Sequence, residues 1–165
     1  MNTSWEDIAD CLRGEAAEYG QLLHLIDEQQ RIIFQRDVDA ILLTNDSIKA
    51  QTVVLEGFRR RRERIAAGFA AGCGQAAGST LRSLLPWVAP VGRPLIEALI
   101  GEVNRLTHRV RRAIRLNQRL LGATLEVHQE LLRRIRPDAF TKTYARNGRI
   151  SVALPRSARP VLTEG

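Results

Sequence analysis

PLIEALIGEVNRLTHRVRRAIRLNQRLLGATLEVHQELLRRIR, residues 94–136, decides the fold. Within it Ile96, Leu99, Val103, Leu106, Val110, Ala113, Asn117, Leu120, Thr124, Val127 and Leu131 follow one another at steps of three and four. That spacing keeps one face of an α-helix turned toward a partner helix, and no charged residue falls on it. Arg105, Arg109, Arg111, Arg112, Arg115 and Arg119 all lie off the seam. Pro94 suits a first helical turn and Pro137 ends the run, so the stretch predicts one helix over about residues 94–136.

Two similar runs precede it. Thr3-Ser4-Trp5-Glu6 reads as a capping box, with Thr3 and Glu6 satisfying each other's backbone donors. From there Trp5, Ile8, Leu12, Tyr19, Leu22, Ile26 and Ile33 recur, and the polar members Glu15 and Gln29 complete the three-four rule. This predicts a helix over about 4–35. Arg36-Asp37-Val38-Asp39 breaks the register and offers Asp37 or Asp39 as a new N-cap. Ile41, Thr44, Ile48, Gln51, Leu55, Phe58, Arg62, Ile65 and Phe69 then predict a second helix over about 38–70. Most of the Arg59–Arg64 run must be a solvated face, because its members point all round the helix.

The segment 71–93 holds glycines among small residues and then Pro86 and Pro90. It reads as a connector with a short helix begun at Ser79 or Thr80 and carrying Leu81, Leu84 and Leu85. Its length suggests a crossover between bundle ends in place of a tight turn. The expected fold is all-α: an elongated antiparallel three-helix bundle over residues 1–136, with a short extra helix in the crossover. Residues 137–165 read as a flexible C-terminal segment, in which Asn147-Gly148 between short β-prone runs could close a small hairpin.

The 165 residues suit one domain, and 44% hydrophobic content is enough for a core. Only 5% of residues are aromatic, which argues against a base-stacking surface or an aromatic-rich β-sandwich. No apolar run is long enough to cross a bilayer, and the acidic start Met1-Asn-Thr-Ser-Trp-Glu-Asp lacks the apolar region of a signal peptide. Cys11 and Cys73 make no framework or metal spacing and read as buried thiols in a reducing compartment. The net charge of +7 hides a division: residues 1–58 carry eleven acidic and four basic side chains, residues 59–165 seven and twenty-one. An acidic first helix lying beside a basic third one accounts for this without a polyanionic ligand.

Catalytic chemistry finds no support. Gly72-Cys-Gly74-Gln-Ala-Ala77 fits a dinucleotide fingerprint by letter only, since it follows a helix instead of a strand. As a phosphate loop it has Ser79 where lysine is required. His24, His108 and His128 have no partner at metal-ligand spacing, and the carboxylates of the first helix lack the Glu-x-x-His needed for a di-metal bundle. The reading is a non-enzyme with no cofactor, no metal and no small-molecule substrate.

Glu28, Arg36-Asp37, Ile41, Lys49, Leu55 and Arg61 form a pattern that resembles the first hairpin of FlgN-type flagellar export chaperones. Leu116-Asn117-Gln-Arg-Leu120-Leu121, then Thr143-Tyr144 and Gly148, is similar to that family's last helix and its Thr-Tyr end. The likeness runs over about residues 8–150, although Tyr144 is followed by Ala-Arg-Asn before its glycine. It implies a cytosolic chaperone that holds the C-terminal helical region of the hook-filament junction proteins, FlgK and FlgL. It further implies delivery of that cargo to the flagellar type III export gate, with Tyr144 in the docking segment.

A helix-binding role also follows from the residues. Beside its seam the third helix carries a second apolar stripe of Ile114, Leu121, Leu125, Leu132 and Ile135. A contact between two helices needs one stripe, so the extra width must cover something. The proximal half is expected to be filled by the bundle's own helices. Toward Leu132–Phe140 a guest helix is the expected occupant, which makes Leu121, Leu125, Leu132, Ile135 and Phe140 the candidate cargo contacts. The competing readings are a basic nucleic-acid or membrane-surface binder using Arg105–Arg119 with Arg133, Arg134 and Arg136, and a generic coiled-coil adaptor.

Overall fold

The computed structural model describes residues 4–135, 142–144 and 150–152. Helix α1 spans Trp5–Gln35, α2 Val38–Gly72, α3 Leu81–Leu84 and α4 Arg93–Ile135, and a 3-10 turn at Leu85–Trp87 follows α3. Strands β1 (Lys142–Tyr144) and β2 (Ile150–Val152) pair antiparallel with Tyr144 opposite Ile150, and the Asn147-Gly148 turn expected between them lies outside the described residues. The chain forms two compact units, Met1–Leu120 and Leu121–Gly165, and α4 runs from the first into the second.

The caps explain where each helix begins. Ser4 is the N-cap of α1: its Oγ accepts from the Asp7 N–H at 3.4 Å, and its own N–H donates to the Asp7 carboxylate at 2.8 Å. The capping box therefore sits one residue later than Thr3 and Glu6 would place it, with aspartate in the reciprocal role. Arg36 ends α1 in the left-handed region at φ 59°, donating to the Ile33 carbonyl. Asp37 restarts the chain by accepting from the Ala40 N–H at 3.0 Å. Thr80 caps α3 in the same way through Ser83.

Every seam position of α1 turns inward, from half-buried Trp5 to Ile33, with Glu15 and Gln29 among the buried ones. Of the expected inward positions of α2, Thr44, Leu55 and Phe69 are buried, and Ala66 and Ala70, which the spacing did not include, are buried with them. Leu55, Ala66, Phe69 and Ala70 join Ile96, Val103, Leu106 and Val110 of α4 in one core with Leu84 and Val88 from the connector. Each large aliphatic side chain so buried contributes roughly 1.5–3 kcal/mol.

Helices α1 and α2 run antiparallel: Glu18 meets Gln51, and Cys11 and Gly14 meet Phe58. A Cβ on Gly14 would lie 2.5 Å from the Phe58 ring, so the glycine is what lets the ring seat there. Helix α4 runs parallel to α1, with Gly92 against the Trp5 ring and Asn117 against Ile26. The connector consequently does not carry the chain to the far end of the bundle as its length suggests. It returns the chain to the end at which α2 stops, and its residues go into packing Leu81, Leu84, Leu85 and Val88 on the core. Arg93 fastens it by donating to the Val88 and Pro86 carbonyls, both at 2.8 Å.

Three polar contacts fix the register of these helices. Asn117 Nδ2 donates to the Ile26 carbonyl at 2.8 Å and to Gln29 Oε1 at 3.2 Å, linking α4 to α1. Gln51 Nε2 donates to the Glu18 carboxylate at 2.6 Å. Arg62 Nη1 donates to both carboxylate oxygens of the fully buried Glu15, at 2.7 and 2.6 Å. Burial pushes the Glu15 carboxyl above its usual range in spite of the opposing pull of Arg62. Helix α1 does lie beside α4, but Asn117 makes the polar link between them. Among the described residues the ion pair between helices joins α1 to α2, because Arg62 occupies a seam position. Cys11 is buried and its thiol is pushed up chiefly by that burial, whereas Cys73, also expected inside, is only half-buried.

Candidate protein-docking site

The seam of α4 is covered from Ile96 through Thr124 and then ceases to be. Val127 and Leu131, which the spacing assigns to a helix contact, are 54% and 50% exposed. The second stripe changes at the same place. Ile114 packs on the core and Leu121 is half-buried, but Leu125, Leu132 and Ile135 are 59%, 51% and 73% exposed. The proximal half of that stripe is filled by the protein itself, as expected, while the distal half is open.

At 100° per residue the exposed apolar side chains of the distal segment spread over an arc of roughly 160°. Glu126, Gln129, Glu130 and Arg133 occupy the other side, where Glu130 pairs with Arg133 and Arg134 at 3.7 and 3.2 Å. So wide an arc resembles that of a helix buried between two others, not that of a helix lying on a core. It offers leucine, valine and isoleucine side chains, interrupted by the exposed imidazole of His128. His128 faces Thr124, whose carbonyl its Nδ1 meets at 2.8 Å. Such a surface can bury apolar groups of a partner and do little else chemically.

Of the residues singled out from the sequence, the structure therefore brings Leu125, Leu132 and Ile135 together on one open face, with Leu121 at its covered edge. Val127 and Leu131 belong to that face and were hidden by their seam spacing. Helix lengths carry the missing signal, since α4 has 43 residues against 31 in α1 and 35 in α2. Phe140 lies outside the described residues. Tyr144 is placed through its backbone, as the β1 residue paired with Ile150. The first unit has its own exposed apolar patch at the α1–α2 turn, where Phe34, Val38, Leu42 and Leu43 are between 59% and 71% exposed.

Among the described residues no group of histidine, cysteine, aspartate and glutamate side chains is assembled to hold a metal ion. No described helix is long and apolar enough to cross a membrane. Comparison with curated proteins and with solved structures finds no match. A family model, described as FlgN protein, matches residues 1–151, which takes in all four helices and the seam, caps and open distal face described above. The chain belongs to the FlgN family of flagellar export chaperones.

Proposed function

We propose that the protein is a cytoplasmic export chaperone for hook-filament junction proteins of the FlgK and FlgL type. It holds their C-terminal helical region on the distal half of α4, prevents their early assembly and delivers them to the flagellar type III export gate. The observation that carries this reading is the open apolar arc from Leu125 to Ile135 on a helix whose preceding turns are buried. In this division of labour residues 1–136 act as the holding bundle, with Leu121, Leu125, Leu132, Ile135 and Phe140 as cargo contacts. Residues 137–165 carry Tyr144, which serves docking at the gate. Family membership supports the export-chaperone role, and the apolar chemistry of the arc supports a helical guest over a polyanion.

Titration of a labelled cargo C-terminal peptide separates the two parts. Leucine burial in such a groove contributes roughly 1.5–3 kcal/mol, so Leu132→Ala should weaken binding about tenfold or more. Tyr144→Ala should leave affinity and melting almost unchanged while export of the hook-associated proteins falls. Full affinity in a folded Leu132→Ala protein would remove the arc from the mechanism. Loss of cargo binding in Tyr144→Ala would mean that the C-terminal segment forms part of the groove.

A further inference from the structure

The first unit holds a groove of about 480 Å³ between α1 and α4, distinct from the distal face. Its floor is apolar, made by Leu23, Ala113 and Leu116, and Leu116 is 44% exposed. Its two rims differ in charge: Arg109 and Arg112 stand on the α4 side and Asp27 on the α1 side. The α4 rim belongs to a run with no acidic residue between Glu102 and Glu126. The six arginines of that run, from Arg105 to Arg119, are all exposed. Among the described residues Arg105 pairs with Glu102, while Arg109 and Arg112 form no ion pair, so the rim's charge is not consumed there.

We propose that this groove is a second docking surface, for an acidic amphipathic helix of a partner protein. The guest would lay its apolar stripe on Leu23, Ala113 and Leu116 and present carboxylates to Arg109 and Arg112. Asp27 on the opposite rim repels a carboxylate and accepts a lysine, so the order of charges across the guest sets which way it lies. A nucleic-acid backbone fits less well, because it leaves the floor unused and brings phosphates toward Asp27. An anionic bilayer fits less well too, because beside Arg109 and Arg112 α4 turns its main apolar face into the core.

The test uses the full chain and a synthetic helix of about three heptads, with leucines at a and d, glutamates on one flank and lysines on the other. Its controls are the same composition with leucines scrambled, a helix with lysines on both flanks, and random double-stranded DNA. Arg109→Glu with Arg112→Glu should weaken the amphipathic helix roughly tenfold or more, and the helix with lysines on both flanks, which wild type disfavours, should recover binding to that variant, whose two rims are both acidic. Arg111→Glu, on the same helix but off the groove, should leave affinity within about twofold. Both variants change exposed side chains, and unchanged melting checks that they fold. A Leu125→Ser, Leu132→Ser protein keeps this binding if the groove is the site. Loss confined to that distal variant would overturn the groove and leave the cargo reading standing. Equal binding by scrambled peptide or DNA, equal loss with Arg111→Glu, or no binding of the amphipathic helix would each overturn it as well.

Discussion

Asn117 is a buried amide in the middle of an apolar seam, and replacing it tests what the polar link between α4 and α1 contributes. Its side chain is 3% exposed and gives both amide hydrogens to α1, one to the Ile26 carbonyl and one to Gln29 Oε1. Asn117→Leu keeps the branching of the side chain but leaves Gln29, itself 6% exposed, with a buried oxygen that has lost its donor. A buried acceptor stranded in this way costs about 1–3 kcal/mol. The Ile26 carbonyl suffers less, since a residue in mid-helix also accepts an intrahelical bond. Gln29→Leu strands the Asn117 amide by the same logic and at similar cost. When both are leucine no polar group remains unsatisfied and apolar area is gained, so the double variant should be close to wild type or more stable. Urea denaturation of the four proteins closes a thermodynamic cycle, with an expected coupling of about 1–3 kcal/mol. Stability is half of the expectation. A single buried asparagine fixes helix register, so the double variant should lose uniqueness and show weaker near-ultraviolet dichroism or mixed oligomers. Strictly additive losses would refute the coupling, and a double variant as uniquely packed as the parent would refute the register role.

Val110→Asp places an unpaired carboxylate at a 5% exposed seam position and should cost about 3 kcal/mol or more, whereas Arg111→Asp next to it should cost under about 1 kcal/mol; equal melting shifts would contradict the seam. Gly92→Ala would set a Cβ 2.6–2.8 Å from the Trp5 ring and should destabilise by about 1–3 kcal/mol, an effect that Trp5→Ala in the same chain should largely relieve. Glu15 has a folded pKa raised by burial, so its contribution is complete below the unfolded carboxylate range and is lost as pH rises through the raised value. Wild type should therefore lose stability relative to Glu15→Gln as pH rises from about 4.5, and a difference that grows in favour of wild type would mean that the Arg62 pair outweighs burial.

The three seams could be read from spacing because each long helix buries one face against its neighbours, and even the polar members Glu15 and Gln29 obeyed the rule. Spacing fails where coverage ends. Val127 and Leu131 keep the period of the seam but not its partner, and periodicity records which residues share a face without recording whether anything lies on it. The cap of α1 was displaced by one residue because Thr3, Ser4, Glu6 and Asp7 supply two overlapping hydroxyl–carboxylate pairs. The connector's path depended on where Leu84 and Val88 find core, a question of space instead of pattern. The groove beside Arg112 was beyond sequence reading for a similar reason. Leu23 and Leu116 belong to helices distant in the chain, and only the parallel pairing of α1 with α4 makes them neighbours.

That parallel pairing has a consequence for synthesis. Helices α1 and α2 form a local hairpin, but Ile26 waits for Asn117, 91 residues later. At ~5–20 residues per second, the hairpin is complete on the ribosome some seconds before its third helix emerges. During that interval the nascent chain displays the side of α1 that α4 will cover, including the surroundings of Ile26 and the Trp5 ring. A chain stopped at Gly72 would hold that state indefinitely, as a two-helix fragment with a long apolar stripe and a net negative charge. Such a fragment would attract any amphipathic helix in reach, and the first to arrive in normal synthesis is the protein's own.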